Sequence, residues 1–148
     1  MRNTILFCAL TALCSCQWNG DSDSAASDVA VRWAEAFFNA DYVAAQQLAT
    51  PESGLWLRLA ASNTTQQDLN LLQSNGEGAQ VSQDGYQSVN DTLALVKLDV
   101  RNYVHPAAIG DSVGTLRDGA FEVKVVKRGD EWRVRMEGLP RSGRQSRD

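Results

Sequence analysis

The sequence predicts an α+β domain: N-terminal helices packed on a curved antiparallel sheet of about four strands. Three observations carry this. Apolar residues between Val29 and Leu72 recur at helical spacing. After Gly78 the period drops to two. Finally, a turn at Gly129-Asp130 aligns two segments so that both present the same apolar face. Helices first and strands afterwards segregate the helices to one side of an antiparallel sheet.

Each element follows from its residues. Ser27 or Asp28 is expected to cap the first helix, in which Val29, Trp33, Ala36, Phe37 and Ala40 form one apolar stripe. Asp41 restarts a short helix with Tyr42, Ala45, Leu48 and Ala49 inward. Thr50-Pro51-Glu52 opens a third, because proline at the first helical position has no N–H to leave unpaired and an acid there suits the helix dipole. Leu55, Trp56 and Leu59 are expected inward from it. Thr64 or Thr65 starts a last helix carrying Leu69 and Leu72, and Gly76 ends it.

In the strand region, Val81 to Val89 reads as a polar, half-exposed strand. Thr92 to Tyr103 reads as a long one with Ala94, Val96, Leu98 and Val100 on one face, and Leu93, Leu95, Lys97, Asp99 and Arg101 on the other. In the final hairpin Lys127 pairs with Trp132, Val125 with Val134 and Val123 with Met136, which leaves Glu122, Lys124, Arg128, Arg133, Arg135 and Glu137 outside. Trp33, Phe37, Trp56, Val125, Trp132 and Val134 are then expected to share one core. Residues 104–117 (VHPAAIGDSVGTLR) read as a long connection at the rim, with Ile109, Val113 and Leu116 among small residues and Gly110 and Gly114 supplying backbone freedom.

The N-terminus has a separate logic. Met1-Arg2 is a short basic start, Ile5 to Leu13 an apolar run, and Leu13-Cys14-Ser15-Cys16 closes it. Such a run is too short for a membrane-spanning helix, which needs about 20 residues. Leu13-Cys14-Ser15-Cys16 resembles the lipobox of bacterial lipoproteins, with an apolar residue three places before the cysteine and a small one directly before it. The resemblance implies cleavage after residue 15 and acylation of Cys16. Cys14 is the poorer site because Leu13 before it is bulky. An ordinary signal peptide with incidental cysteines is the alternative. Cys8, Cys14 and Cys16 are the three cysteines of the chain, so cleavage leaves a domain with neither disulfide nor free thiol.

The predicted organisation is a signal peptide at 1–15, the lipidated cysteine and a flexible acidic tether at 16–27, the domain at 28–139, and a disordered basic tail at 140–148. Gln17 lacks the aspartate that, in the resemblance, retains lipoproteins at the inner membrane, which implies the outer membrane in a host with two.

With 43% hydrophobic and 22% charged residues, the chain has the composition of a globular protein. The net charge of -4 argues against a general nucleic-acid binder. Charge is uneven: from Arg117 onward nine Lys/Arg face six Asp/Glu, whereas Gln17 to Leu116 holds four against twelve. A basic outer face on the last strands and a basic tail account for this.

"WAEAFFNADYVAAQQLATPE" and "RGDEWRV" resemble the opening and the final hairpin of the nuclear-transport-factor-two-like superfamily, the cystatin-like α+β cone. The resemblance spans about Ser27 to Leu139 and is similar to that of bacterial lipoproteins with this layout. It implies a pocket between sheet and helices. Some relatives are isomerases that use a buried carboxylate base with a tyrosine or protonated acid as oxyanion donor.

The pieces for such chemistry are Asp99, Tyr42, Tyr103 and His105. Asp99 between Lys97 and Arg101 fits an exposed charge ladder better, and a lone histidine before Pro106 makes no metal site. No catalytic residue, metal or cofactor is therefore expected. The expected function is a non-catalytic binding or accessory module, anchored to lipid through acylated Cys16 and exported to the cell envelope. It would take a small ligand or envelope protein at Tyr42, Tyr103, His105, Ile109 and Val113, through the cone pocket or the 104–117 rim. The alternative is a cone-fold isomerase or dehydratase. An apolar pocket with two converging ionisable groups would point to the enzyme, and a filled or purely apolar cone to the binding module.

Overall fold

The computed structural model describes residues 20–106 and 114–143. Helices α1 (Gly20–Phe38), α2 (Tyr42–Gln47), α3 (Gly54–Asn63) and α4 (Gln66–Ser74) come first, with a 3₁₀ turn at Pro51–Ser53. Strands β1 (Gln80–Asn90), β2 (Leu93–His105), β3 (Thr115–Arg128) and β4 (Glu131–Val134) follow. The strands form one antiparallel sheet in the order β1-β2-β3-β4, and the helices pack on it. The α+β class expected from the change of period is the one observed. Cys16, Ile109 and Val113 lie outside the described residues.

Helix α1 begins at Gly20, so residues 20–27 are its first turns and not a flexible tether. Ala26 continues the buried line of Ala30, Trp33 and Ala34, and this added burial carries the helix past the expected cap at Ser27, itself buried. The helix ends in a Schellman motif. Asp41 N–H donates to Ala36 O (2.9 Å) and Ala40 N–H to Phe37 O (3.1 Å), with Ala40 at φ 61°. Asp41 then caps α2, its carboxylate accepting from Ala44 N–H at 3.0 Å.

Helix α3 is rotated relative to the expected stripe. Gly54, Leu57 and Ala60 face inward, whereas Leu55 is 59% and Leu59 40% exposed. Ser53 sets this phase. Its buried hydroxyl accepts from Met136 N–H (2.9 Å) and donates to Val134 O (3.3 Å), and Thr50 Oγ1 lies 2.8 Å away. With Ser53 pinned, positions three and four further along turn inward and Leu55 and Leu59 turn out. The same corner shortens the last hairpin. Lys127–Trp132 and Val125–Val134 pair as expected, but β4 stops at Val134. Met136 is buried yet leaves the ladder opposite Val123, because its N–H goes to Ser53.

Strand β2 contains the feature that shapes the rest. Val100 pairs with Gly119 and Tyr103 with Arg117, so Arg101 and Asn102 together oppose Asp118. Asn102 takes φ 56°, a region asparagine tolerates better than most residues, and its N–H donates to Asp118 Oδ1 at 3.0 Å. The extra residue reverses the strand's parity. Before it Ala94, Val96, Leu98 and Val100 face the helices; after it Tyr103 does. The first half packs on α1 around Trp33, Val125, Trp132 and Val134, with Phe37 and Trp56 partly buried against them. A smaller cluster of Leu72, Ala79, Val100, Tyr103 and Phe121 forms on both sides of the bulge.

Two further expectations are corrected. The segment 104–117 is not one long loop, since Val104 pairs with Leu116 and His105 with Thr115, extending the ladder on both sides. The segment after Leu139 is ordered through Gly143: Ser142 is buried, and its Oγ lies 2.7 Å from where a side chain on Gly119 would begin. Only glycine at 119 leaves room for that strap.

Candidate ligand cavity

Beyond the bulge, the sheet and helices do not close completely. A cavity of about 200 Å³ remains between the end of α1, the α3–α4 junction and the far halves of β2 and β3. Leu139, Pro140 and Ser142 form its outer wall. The lining is mostly apolar and rich in rings. Phe38 and Phe121 lie 4.7 Å apart between centroids, Tyr103 and Phe121 5.1 Å, Phe38 and Tyr103 5.6 Å, the latter two pairs edge to face. Phe37 meets Tyr42 edge to face at 5.7 Å.

Its polar groups are few and well held. Tyr42 Oη lies 2.7 Å from Thr64 Oγ1, and the Thr64 hydroxyl donates to Ala60 O at 2.9 Å. A threonine hydroxyl has one proton, so Tyr42 is the donor to Thr64. Asp68 sits on the lining at the third position of α4. Its Oδ2 accepts from Thr65 N–H (2.8 Å) while Thr65 Oγ1 accepts from Asp68 N–H (3.2 Å), a reciprocal capping box. The other oxygen, Oδ1, points towards Gly114, where an added side-chain carbon would lie 3.0 Å from it and 2.8 Å from His105 O.

Burial raises the Tyr42 pKa above 10, the Thr64 bond opposing and the Asp68 charge reinforcing it. Burial lowers that of His105 below 6.5, and Arg117, on the paired stretch of β3, acts in the same direction. Near neutral pH the tyrosine keeps its proton and the histidine is uncharged.

Of the residues singled out in the sequence, Tyr42, Tyr103 and His105 meet at this cavity. Asp99 does not. It lies on the opposite parity of β2, between its partners Ser82 and Ala120, outside the lining. Sequence reasoning missed Phe38, Phe121 and Asp68. The Thr65-x-x-Asp68 spacing was the available signal, because a capping box fixes where its acid sits. Tyr103 enters through the bulge; strict alternation from Val100 would have turned it outward.

The basic outer face of the last strands is largely neutralised. Lys124 pairs with Glu137 and Arg128 with Glu52, both at 2.8 Å, and Arg133 bonds Glu131 and the Gln47 carbonyl. Among the described residues no three His, Cys, Asp or Glu side chains cluster as metal ligands, and no helix is long and apolar enough to cross a membrane.

No family model matches the chain, and no curated protein matches it. Solved structures similar to it include an NTF-2 like protein of unknown function from Shewanella oneidensis. That one has 14% identity and a TM-score of 0.48, over 72% of this chain and 88% of that one. Another is an uncharacterised cystatin fold protein from Novosphingobium aromaticivorans, with 14% identity and a TM-score of 0.46 over 75% of this chain and 96% of that one. Likeness at this level concerns chain arrangement alone.

Proposed function

We propose that the chain is an envelope lipoprotein, anchored through acylated Cys16, whose domain binds a small molecule in the cavity between sheet and helices. The lipobox-like Leu13-Cys14-Ser15-Cys16 motivates the anchor, and the observation that carries the binding reading is the lining itself. Five aromatic residues (Phe37, Phe38, Tyr42, Tyr103 and Phe121) surround a space with a few placed polar atoms, the usual make-up of a small-molecule site. Its volume of about 200 Å³ suits a ligand of one substituted ring, somewhat larger than the roughly 150 Å³ that admits benzene.

Ligand-observed NMR with single-ring fragments tests this on the full chain and on Ala60→Phe, in which a ring on the cavity wall takes up the space. Fragments should bind the native chain, and binding should be lost from the variant. A native chain that binds none of them, or a variant with equal affinity, would sink the reading.

A second reading has one observation in its favour. Asp68 and Tyr42 supply the carboxylate and tyrosine that an isomerase or dehydratase would need, in an apolar pocket. Binding is preferred because both groups hold the scaffold together: Tyr42 spends its proton on Thr64 and Asp68 caps α4. Turnover of a carbonyl or hydroxy compound that is lost in both Asp68→Asn and Tyr42→Phe would reverse that preference.

A further inference from the structure

The charge of the cavity is one-sided. Among the described residues of its lining, Asp68 is the one carboxylate, and no lysine or arginine is present. Asp68 Oδ1 points to the Gly114 side and is not the oxygen that caps Thr65. Tyr42, having donated to Thr64, offers acceptor lone pairs. Ring faces and edges of Phe38, Tyr103 and Phe121 complete the wall. His105 is neutral near pH 7, and Arg117 beside it is exposed, with its Nε directed to Thr115 Oγ1 at 3.2 Å.

Such a lining discriminates by charge. An anion would meet a carboxylate and a phenolic oxygen whose proton is engaged elsewhere, and both repel it. An ammonium group is attracted by both, and by any ring face it meets. We infer that the cavity takes a small organic ammonium ion, with its charge against Asp68 and its carbon skeleton against Phe38, Tyr103 and Phe121. The inference rests on the ligand-cavity reading above and adds the chemical class of the ligand.

Benzylamine, benzyl alcohol and benzoate share one ring and differ in charge, so calorimetric titration of the full chain in detergent with each separates the two claims. Protonated benzylamine should bind about tenfold more tightly than benzyl alcohol, and benzoate most weakly. Asp68→Asn should remove most of the gap between amine and alcohol. Asparagine keeps an oxygen for the Thr65 N–H, and a melting curve checks that the variant is folded. If it does not fold, the ranking on the native chain decides. Equal affinities for amine and alcohol, tighter binding of benzoate, or an undiminished gap in folded Asp68→Asn would overturn the ammonium inference and leave the cavity reading standing. No binding by any of the three overturns both.

Discussion

Asn39 holds both backbone groups of Ala79. Its Oδ1 accepts from Ala79 N–H at 2.8 Å and its Nδ2 donates to Ala79 O at 3.0 Å, tying the end of α1 to the start of β1. The neighbouring Gly78 has φ 70°, and a side chain there would begin 2.3 Å from Asn39 Oδ1. Asn39→Ala should lose about 1–3 kcal/mol in urea melts, because it removes both bonds to Ala79 and a third from Nδ2 to Glu35 O (2.8 Å) and leaves an unpaired amide behind. Gly78→Ala should also destabilise, since it combines strain at positive φ with a collision against the clamp. A loss below about 0.3 kcal/mol in both variants would show that this clamp is dispensable.

Ser53→Ala is expected to cost about 1–3 kcal/mol although it removes one oxygen atom. That oxygen serves Met136 N–H and Val134 O inside the protein, and alanine leaves the amide unpaired where water does not reach. Chemical denaturation with hydrogen exchange at Met136 measures it. Unchanged protection of that amide would mean it has another partner.

The pH response of His105 follows from its surroundings. Its folded pKa is depressed below 6.5, so the unfolded chain binds the extra proton first. Stability is therefore full above pH 6.5 and falls as pH drops through the window down to the folded value, below which this group adds no further change. His105→Gln should flatten that portion of the stability curve. As the chain has one histidine, an imidazole NMR titration reports the folded value directly, and a midpoint above 6.5 would contradict the burial described. Glu52, held to about 2 by the Arg128 hydrogen bond, acts lower: its contribution is present above 4.5 and lost as pH falls towards 2.

Cys16→Ser should move the protein from the membrane to the soluble fraction, because acyl chains on that one sulfur are the proposed anchor. Retention of the variant in carbonate-washed membranes would refute the anchor and leave the cavity untouched.

What the sequence disclosed and what it hid have separate physical origins. The helices with strong caps at Asp41 and Thr65, and the hairpin whose two strands agree on one face, were legible because local chemistry and global burial point the same way. The phase of α3 was not, since four leucine and tryptophan positions fit more than one stripe and Ser53 chose among them through a partner 83 residues away. Tyr42, Tyr103 and His105 were found as types capable of recognition, but their meeting depends on a single left-handed residue, Asn102. The stretch 140–143 was expected to belong to a disordered basic tail, and is ordered by space that Gly119 leaves open.

The bulge at Arg101-Asn102 gives the two halves of β2 separate evolutionary accounts. Residues before it are bound to α1 by close packing, and a change there disturbs the fold. Residues after it line the cavity, with Tyr103 buried against Leu72 and Phe121, so exchanges at Tyr103 or His105 alter what fits the cavity and disturb only the smaller cluster beside it. A loss or gain of one residue at the bulge would do more, swapping the inward and outward sets beyond it in one step and replacing the part of the wall that β2 supplies. A scaffold of this kind can change its ligand by small edits at one end while the other end preserves the fold.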